Sequence, residues 1–190
     1  MKPKDELKRK SIIDKTIHMV YQHGFAGIKM AELARMVGIS PSTLYVYFKS
    51  KEDLILSIST SIIDRETLAS ANEISDDLPF KIKLRKLWLY WLNFSLNHRK
   101  EMSFISQLKQ SPYLSRMPKD VLDAKHKISN DLFDLGKREG LIKDLPNEML
   151  GGITGALLGE TVHLVDQRVL DMNDKGINTA FNLLWDAIKN

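Results

Sequence analysis

Cysteine is absent from the 190-residue chain, which removes disulfides, thiolate nucleophiles and cysteine-ligated metals and fits a reducing compartment. Long apolar runs are missing too. No stretch approaches the roughly 18 apolar residues that cross a bilayer, and Met1-Lys2-Pro3-Lys4-Asp5-Glu6 lacks the apolar segment of a signal peptide. A soluble, cytoplasmic protein with no membrane partner is expected. Catalytic frameworks are equally lacking: no glycine-rich phosphate loop, dinucleotide fingerprint, nucleophile elbow or zinc-binding helix motif occurs. The chain is therefore expected not to be an enzyme and to carry no cofactor. No third ligand converges with any histidine–acid pair, so no metal is expected either. Strand-like alternation and hairpin signals are missing throughout, which leaves an all-α fold.

What is present is a large apolar content, 43%, enough for a sizeable core in one or two domains. The net charge of +4 is unevenly spread: residues 1–51 hold ten Lys or Arg against four acids, a net +6, and the remainder is −2. A basic amino-terminal quarter is the electrostatic footprint of a nucleic-acid binder.

That quarter contains the stretch on which the rest is arranged. Met30, Leu33, Ala34 and Val37 lie on one face of a short helix that Gly38 stops. Ser40 is a good N-cap and Pro41 suits the first helical position, so a second, seven-residue helix begins there. On a wheel of about 100° per residue, Leu44 and Phe48 mark its buried side. Ser42, Thr43 and Val46 point away, with Tyr45 and Tyr47 on the flanks. Ser50 caps the next helix, with Asp53 at the capping-box position and Lys51 in the first turn. A short helix with two apolar anchors and small, uncharged outer residues suits a groove better than a core. In a helix-turn-helix the second helix enters the DNA major groove while the first crosses the backbone.

Gly24-Phe25, Leu33-Ala34, Gly38-Ile39-Ser40, Thr43-Leu44-Tyr45, Tyr47-Phe48 and Lys51-Glu52-Asp53-Leu54 resemble the DNA-binding signature of TetR-type transcriptional regulators. The resemblance covers about a quarter of the chain. It implies an amino-terminal helix-turn-helix domain, residues 1–50, and a helical effector-binding and dimerisation domain, residues 51–190. Phosphate contacts from Tyr45, Tyr47 and Lys51 follow from it as well. The outer face of the reading helix lacks Arg, Gln and Asn, which make bidentate base contacts. Base reading is therefore expected to be soft, through Val46 and the Thr43 methyl, with Ser42 as a hydrogen-bonding partner and Ser40 at the helix start. Where such proteins often carry Thr or Ser before the first helix of the motif, this chain has Ile28 and Lys29. Lys29 is expected to reach phosphate or guanine instead.

The remaining helices follow from apolar periodicity. The first covers 5–23, with Lys2, Lys4, Lys8, Arg9 and Lys10 near its start. A long one begins at Lys51, and a polar connector over 72–79 follows. Further helices begin at Phe80, near Met102 and at Pro118, the last stopping at Gly140. Two more cover about 146–172 and 176–189. Gly151, Gly155 and Gly159 recur every four residues in the penultimate helix. Glycine costs up to about 1 kcal/mol in a helix relative to alanine, so this stripe calls for the close approach of another backbone. Together with Phe181, Leu184 and Trp185, it is the expected homodimer interface, a role the resemblance also implies for the last two helices.

Trp88, Trp91, Phe104, Tyr113 and Phe133 are candidates to line a hydrophobic effector pocket, with Glu160 or His163 as polar anchors and Asn93, Gln107 and His126 as further ones. Each aromatic also reads as plain core, and Glu160 and His163 also suit a dimer hydrogen bond. The functional expectation is a ligand-responsive repressor. It binds a palindromic double-stranded DNA operator as a dimer and is released by a small, largely hydrophobic effector. A regulator without effector, or an activator, stays open.

Overall fold

The computed structural model describes residues 3–75 and 77–190, with side chains from Asp5 onward. Lys2, the side chain of Lys4 and Asp76 of the connector lie outside the described residues. The elements are α1 (Pro3–His23), a 3₁₀ turn (Phe25–Gly27), α2 (Met30–Val37), α3 (Pro41–Tyr47), α4 (Lys51–Ala71), α5 (Phe80–Asn97), α6 (Arg99–Lys109), a second 3₁₀ turn (Leu114–Arg116), α7 (Lys119–Arg138), α8 (Asn147–Asp166) and α9 (Asp174–Ile188). Among the described residues the only strand-type pairing is an isolated antiparallel bridge, Ile142 with Lys189. The fold is all-α, a helix-turn-helix region followed by a helical carboxy-terminal part.

Contacts group these elements into two compact units, Met1–Arg65 with His98–Leu122 and Glu66–Asn97 with Asp123–Asn190. This grouping differs from a division at 50/51, because α6 packs against α1. The reason lies where α1 ends. Gly24, at φ 66°, turns the chain so that Phe25 points inward. Its ring then meets Phe104 of α6 edge-on at 5.0 Å and Tyr113 at 5.8 Å. Gln107 donates from Nε2 to the Val20 carbonyl at 3.2 Å, a second bond to an oxygen that already accepts from the Gly24 N–H at 2.9 Å, and so ties α6 to the end of α1. Ile12, Leu33, Leu44, Phe48, Leu54, Ile55 and Ile58 form the fully buried heart of this unit.

In the second unit Phe80, Leu84, Trp88 and Leu92 of α5 meet Leu132 and Phe133 of α7, Leu150 of α8, and Phe181, Leu184 and Ile188 of α9. Each such side chain contributes about 1.5–3 kcal/mol on burial. Gly136 of α7 allows a close approach: a Cβ there would stand 2.4 Å from Cζ of Phe80. The chain end is pinned by Lys143 N–H donating to the Ile188 carbonyl at 2.8 Å.

Two helix limits differ from the expectation. α6 begins at Arg99, a turn earlier than its apolar pattern, because the polar residues ahead of Met102 lie on its exposed side. α8 ends at Asp166 rather than near 172, although apolar periodicity continues through Val169 and Leu170. Arg168 takes φ 60° and the N–H of Val169 returns to the Leu164 carbonyl at 2.9 Å, a left-handed helix ending. Leu170 is thereby turned onto the start of α9, where it packs against the unit core.

Candidate DNA-binding site

Local chemistry builds α2 and α3 as the sequence requires. Gly38 caps α2 at φ 76°, with its N–H on the Arg35 carbonyl and that of Ile39 on Ala34. Ser40 stays extended and its Oγ accepts from Thr43 N–H at 3.1 Å, while Pro41 occupies the first turn. The Ser42 and Thr43 hydroxyls both lie 2.8 Å from Ser40 Oγ, so three hydroxyls gather at the start of α3. Ser40 is thus spent on the cap. Leu44 and Phe48 are 0% and 1% exposed, whereas Val46 is 83% and Tyr45 49% exposed. The helix is held by two anchors and turns its middle outward.

Tyr47 is half-buried, and its hydroxyl donates to Oδ1 of Asp5 in the first turn of α1 at 3.3 Å. Burial first, then the Asp5 charge and this hydrogen bond, push the phenol above its ordinary value. One turn along α1, the Arg9 guanidinium lies 5.3 Å from the Phe48 ring centroid. Neither contact was visible in the sequence; a hint lay only in the spacing of four between Asp5 and Arg9, which puts them on one helix face.

Lys29 is exposed at the N-cap of α2 and makes no capping bond. Lys51 is half-buried at the start of α4, where Ser50 Oγ accepts from Asp53 N–H at 3.0 Å. The Asp53 carboxylate returns to the N–H of Lys49 at 2.7 Å, one residue beyond a capping box. Glu52 beside it is ion-paired with Arg116. Two exposed α3 residues and these lysines therefore belong to one helix-turn-helix, with the basic residues at its helix starts, where backbone N–H groups also favour phosphate.

Residues 12–58 match the family described as bacterial regulatory proteins, tetR family, and residues 79–189 match the tetracyclin repressor-like C-terminal domain. The chain belongs to the TetR family of transcriptional regulators. A Rhizobium meliloti HTH-type transcriptional regulator, BetI, is 30% identical over 61 residues, spanning 32% of this chain but only 30% of that protein. A Haemophilus influenzae HTH-type transcriptional regulator is 20% identical over 182 residues, 94% of both chains. Among solved structures, a TetR family transcription regulator from Marinobacter aquaeolei aligns over the whole of both chains with a TM-score of 0.85 and 26% identity.

Ligand binding and homodimerisation are typical of TetR proteins, which gives weight to where the other candidates lie. The five aromatic candidates do not form one set. Phe104 and Tyr113 belong to the first unit and pack on Phe25. Trp88, Trp91 and Phe133 belong to the second, where Trp88 meets Phe181 at 5.7 Å between ring centroids. Glu160 and His163 are exposed on α8, with His163 2.9 Å from the Gln167 amide, so neither anchors anything within the core. Asn93 and His126 are also exposed, and the Gln107 amide bonds to the Val20 carbonyl and the Ser103 hydroxyl. Phe181 and Leu184, 2% and 0% exposed, are core of their own unit and unavailable to a second copy. The spacing of α9 showed an apolar face but not what covers it. Trp185 is half-buried, with Lys81 Nζ 4.8 Å from its ring centroid. Gly151, Gly155 and Gly159 lie on an exposed face.

Among the described residues no group of three or more His, Cys, Asp or Glu side chains is placed to hold a metal ion, and no helix is long and apolar enough to cross a membrane.

Lys29→Ala is expected to weaken operator binding and to reduce the slope of log K against log salt by about 1, the signature of one lost phosphate contact. A salt titration by fluorescence anisotropy measures both. An unchanged slope removes Lys29 from the site.

Proposed function

We propose that this TetR-family protein is a cytoplasmic, ligand-responsive repressor that binds a palindromic operator as a homodimer and is released by a small, largely hydrophobic effector. The observation that carries the DNA part is α3, with Leu44 and Phe48 buried and Val46 and Tyr45 outward. Val46 and the Thr43 methyl read thymine methyls, Ser42 hydrogen-bonds at base edges, and Tyr45, Tyr47, Lys29 and Lys51 take phosphates.

The dimer is supported by α8. A Cβ built on Gly152, Gly155 or Gly159 meets nothing within 4 Å, so nothing among the described residues explains their small size. A second copy laid along that exposed stripe accounts for it, with Glu160 and His163 at its border. The effector is supported by Trp88, whose buried Nε1 has no hydrogen-bond partner among the described residues. An orphaned donor costs about 1–3 kcal/mol, and a carbonyl or carboxylate oxygen on an apolar ligand would recover it. Release requires the effector to favour the conformer that fits the duplex less well.

Footprinting on the DNA upstream of the gene, with and without apolar compounds that carry an acceptor oxygen, tests this. The expected result is one protected palindrome with half-site centres about 34–36 Å apart or somewhat more, lost on adding effector. Protection that no compound relieves leaves a regulator without effector. Absence of protection at low ionic strength overturns the DNA site itself.

A further inference from the structure

Two tyrosines flank the outer face of α3, and they are not equivalent. The Tyr45 side chain is 49% exposed, whereas the Tyr47 hydroxyl is held by Asp5. A phenol has one proton to donate. Once it is given to the Asp5 carboxylate, it cannot be given to a phosphate oxygen, which has no proton to offer in return. A carboxylate beside that hydroxyl also repels a phosphate arriving there.

We propose that Asp5 restrains DNA binding by holding the Tyr47 hydroxyl, so that the Tyr47–phosphate contact forms only by exchange of one anion for the other. Asp5 and Arg9 share a face of α1, and both meet the carboxy-terminal end of α3: Asp5 through Tyr47 and Arg9 over Phe48. Phe48 is an anchor buried at 1% exposure. This α1 face therefore does two things. Arg9 secures the anchor of the reading helix, and Asp5 occupies the adjacent group that would otherwise face the duplex. A carboxylate placed there lowers affinity for DNA of any sequence, because Tyr47 contacts the backbone rather than a base. In a basic head, net +6 over residues 1–51, such a brake limits non-specific binding.

The inference rests on the placement of Tyr47 at the DNA backbone, and the test separates the two. Affinities of wild type, Asp5→Asn, Tyr47→Phe and the double variant are measured by anisotropy on the footprinted duplex and on a scrambled duplex of equal length. Asparagine still accepts from the phenol, but through a neutral bond about half as strong as a charge-assisted one. Asp5→Asn is therefore expected to tighten binding to both duplexes by roughly three- to tenfold. Tyr47→Phe should weaken binding modestly on its own, because the exchanged phosphate contact is lost, and more strongly in the Asp5→Asn background, where it cancels that gain and gives a clear coupling in the cycle. Asp5→Ala, which lacks the acceptor, should tighten binding at least as much. Unchanged or weaker binding of Asp5→Asn overturns the proposal, as does a gain that persists in full with Phe at 47. If Tyr47→Phe is silent in both backgrounds while Lys29→Ala weakens binding, Tyr47 is not at the backbone and the placement itself fails.

Discussion

Leu44→Ala should abolish specific operator binding while the carboxy-terminal unit stays folded. The reading helix is only seven residues long and has no intrinsic stability apart from its packing. Of its residues Leu44 alone is buried, and Phe48, just past its end, is the second anchor. Removing a fully buried leucine from a packed site costs about 2–5 kcal/mol, a large share of what holds α3 against α1 and α2. The exposed face, built from Val46, Tyr45 and small hydroxyl residues, offers no strong base contact to offset that loss. The expected outcome is an affinity at least tenfold lower, since each 1.4 kcal/mol is tenfold, with helical circular dichroism nearly unchanged. Affinity within twofold of wild type would mean that α3 is not the element that reads DNA.

Gly176→Ala is the second change with a large expected effect, this time on stability. A Cβ at Gly176 would stand 2.0 Å from the Asp171 carbonyl oxygen and 3.4 Å from Cδ1 of Leu170. The first contact is with backbone, so no side-chain rotation relieves it. Relief would require the 171–173 segment to lift from the start of α9. That would break the bond in which Asn173 Oδ1 accepts from Gly176 N–H at 2.9 Å, the N-cap of the helix. Overpacking of this kind, with loss of a cap, costs about 3 kcal/mol. For a chain of this length it lowers Tm by roughly 6–12 °C, read by scanning calorimetry. A shift under 2 °C would show that the segment moves freely.

The pieces of the helix-turn-helix were legible because their causes are local. Gly38, Ser40 and Pro41 decide helix stop, cap and start within three residues of one another. The Leu44/Phe48 spacing sets the buried side through the 3.6-residue period alone. The same period located α9 but could not say whether Phe181 and Leu184 meet their own chain or another, since an apolar face looks the same in either case. α8 misled in the opposite way: apolar residues past Asp166 kept the helical rhythm, while Arg168 adopted a left-handed backbone without the glycine that would have announced it.

By itself the sequence determined an all-α chain with a basic reading head, the identity and outward face of α3, and a glycine stripe needing explanation. Only tertiary structure decided that Tyr47 answers to Asp5, that Gln107 bonds to α1 while Phe104 packs on Phe25, and that the glycine face is bare. Caps, turns and amphipathic faces are set by neighbours a few residues away. Which face meets which partner depends on contacts between residues 42 or 87 positions apart, as for Tyr47 with Asp5 and Gln107 with Val20, and no local propensity encodes such pairings.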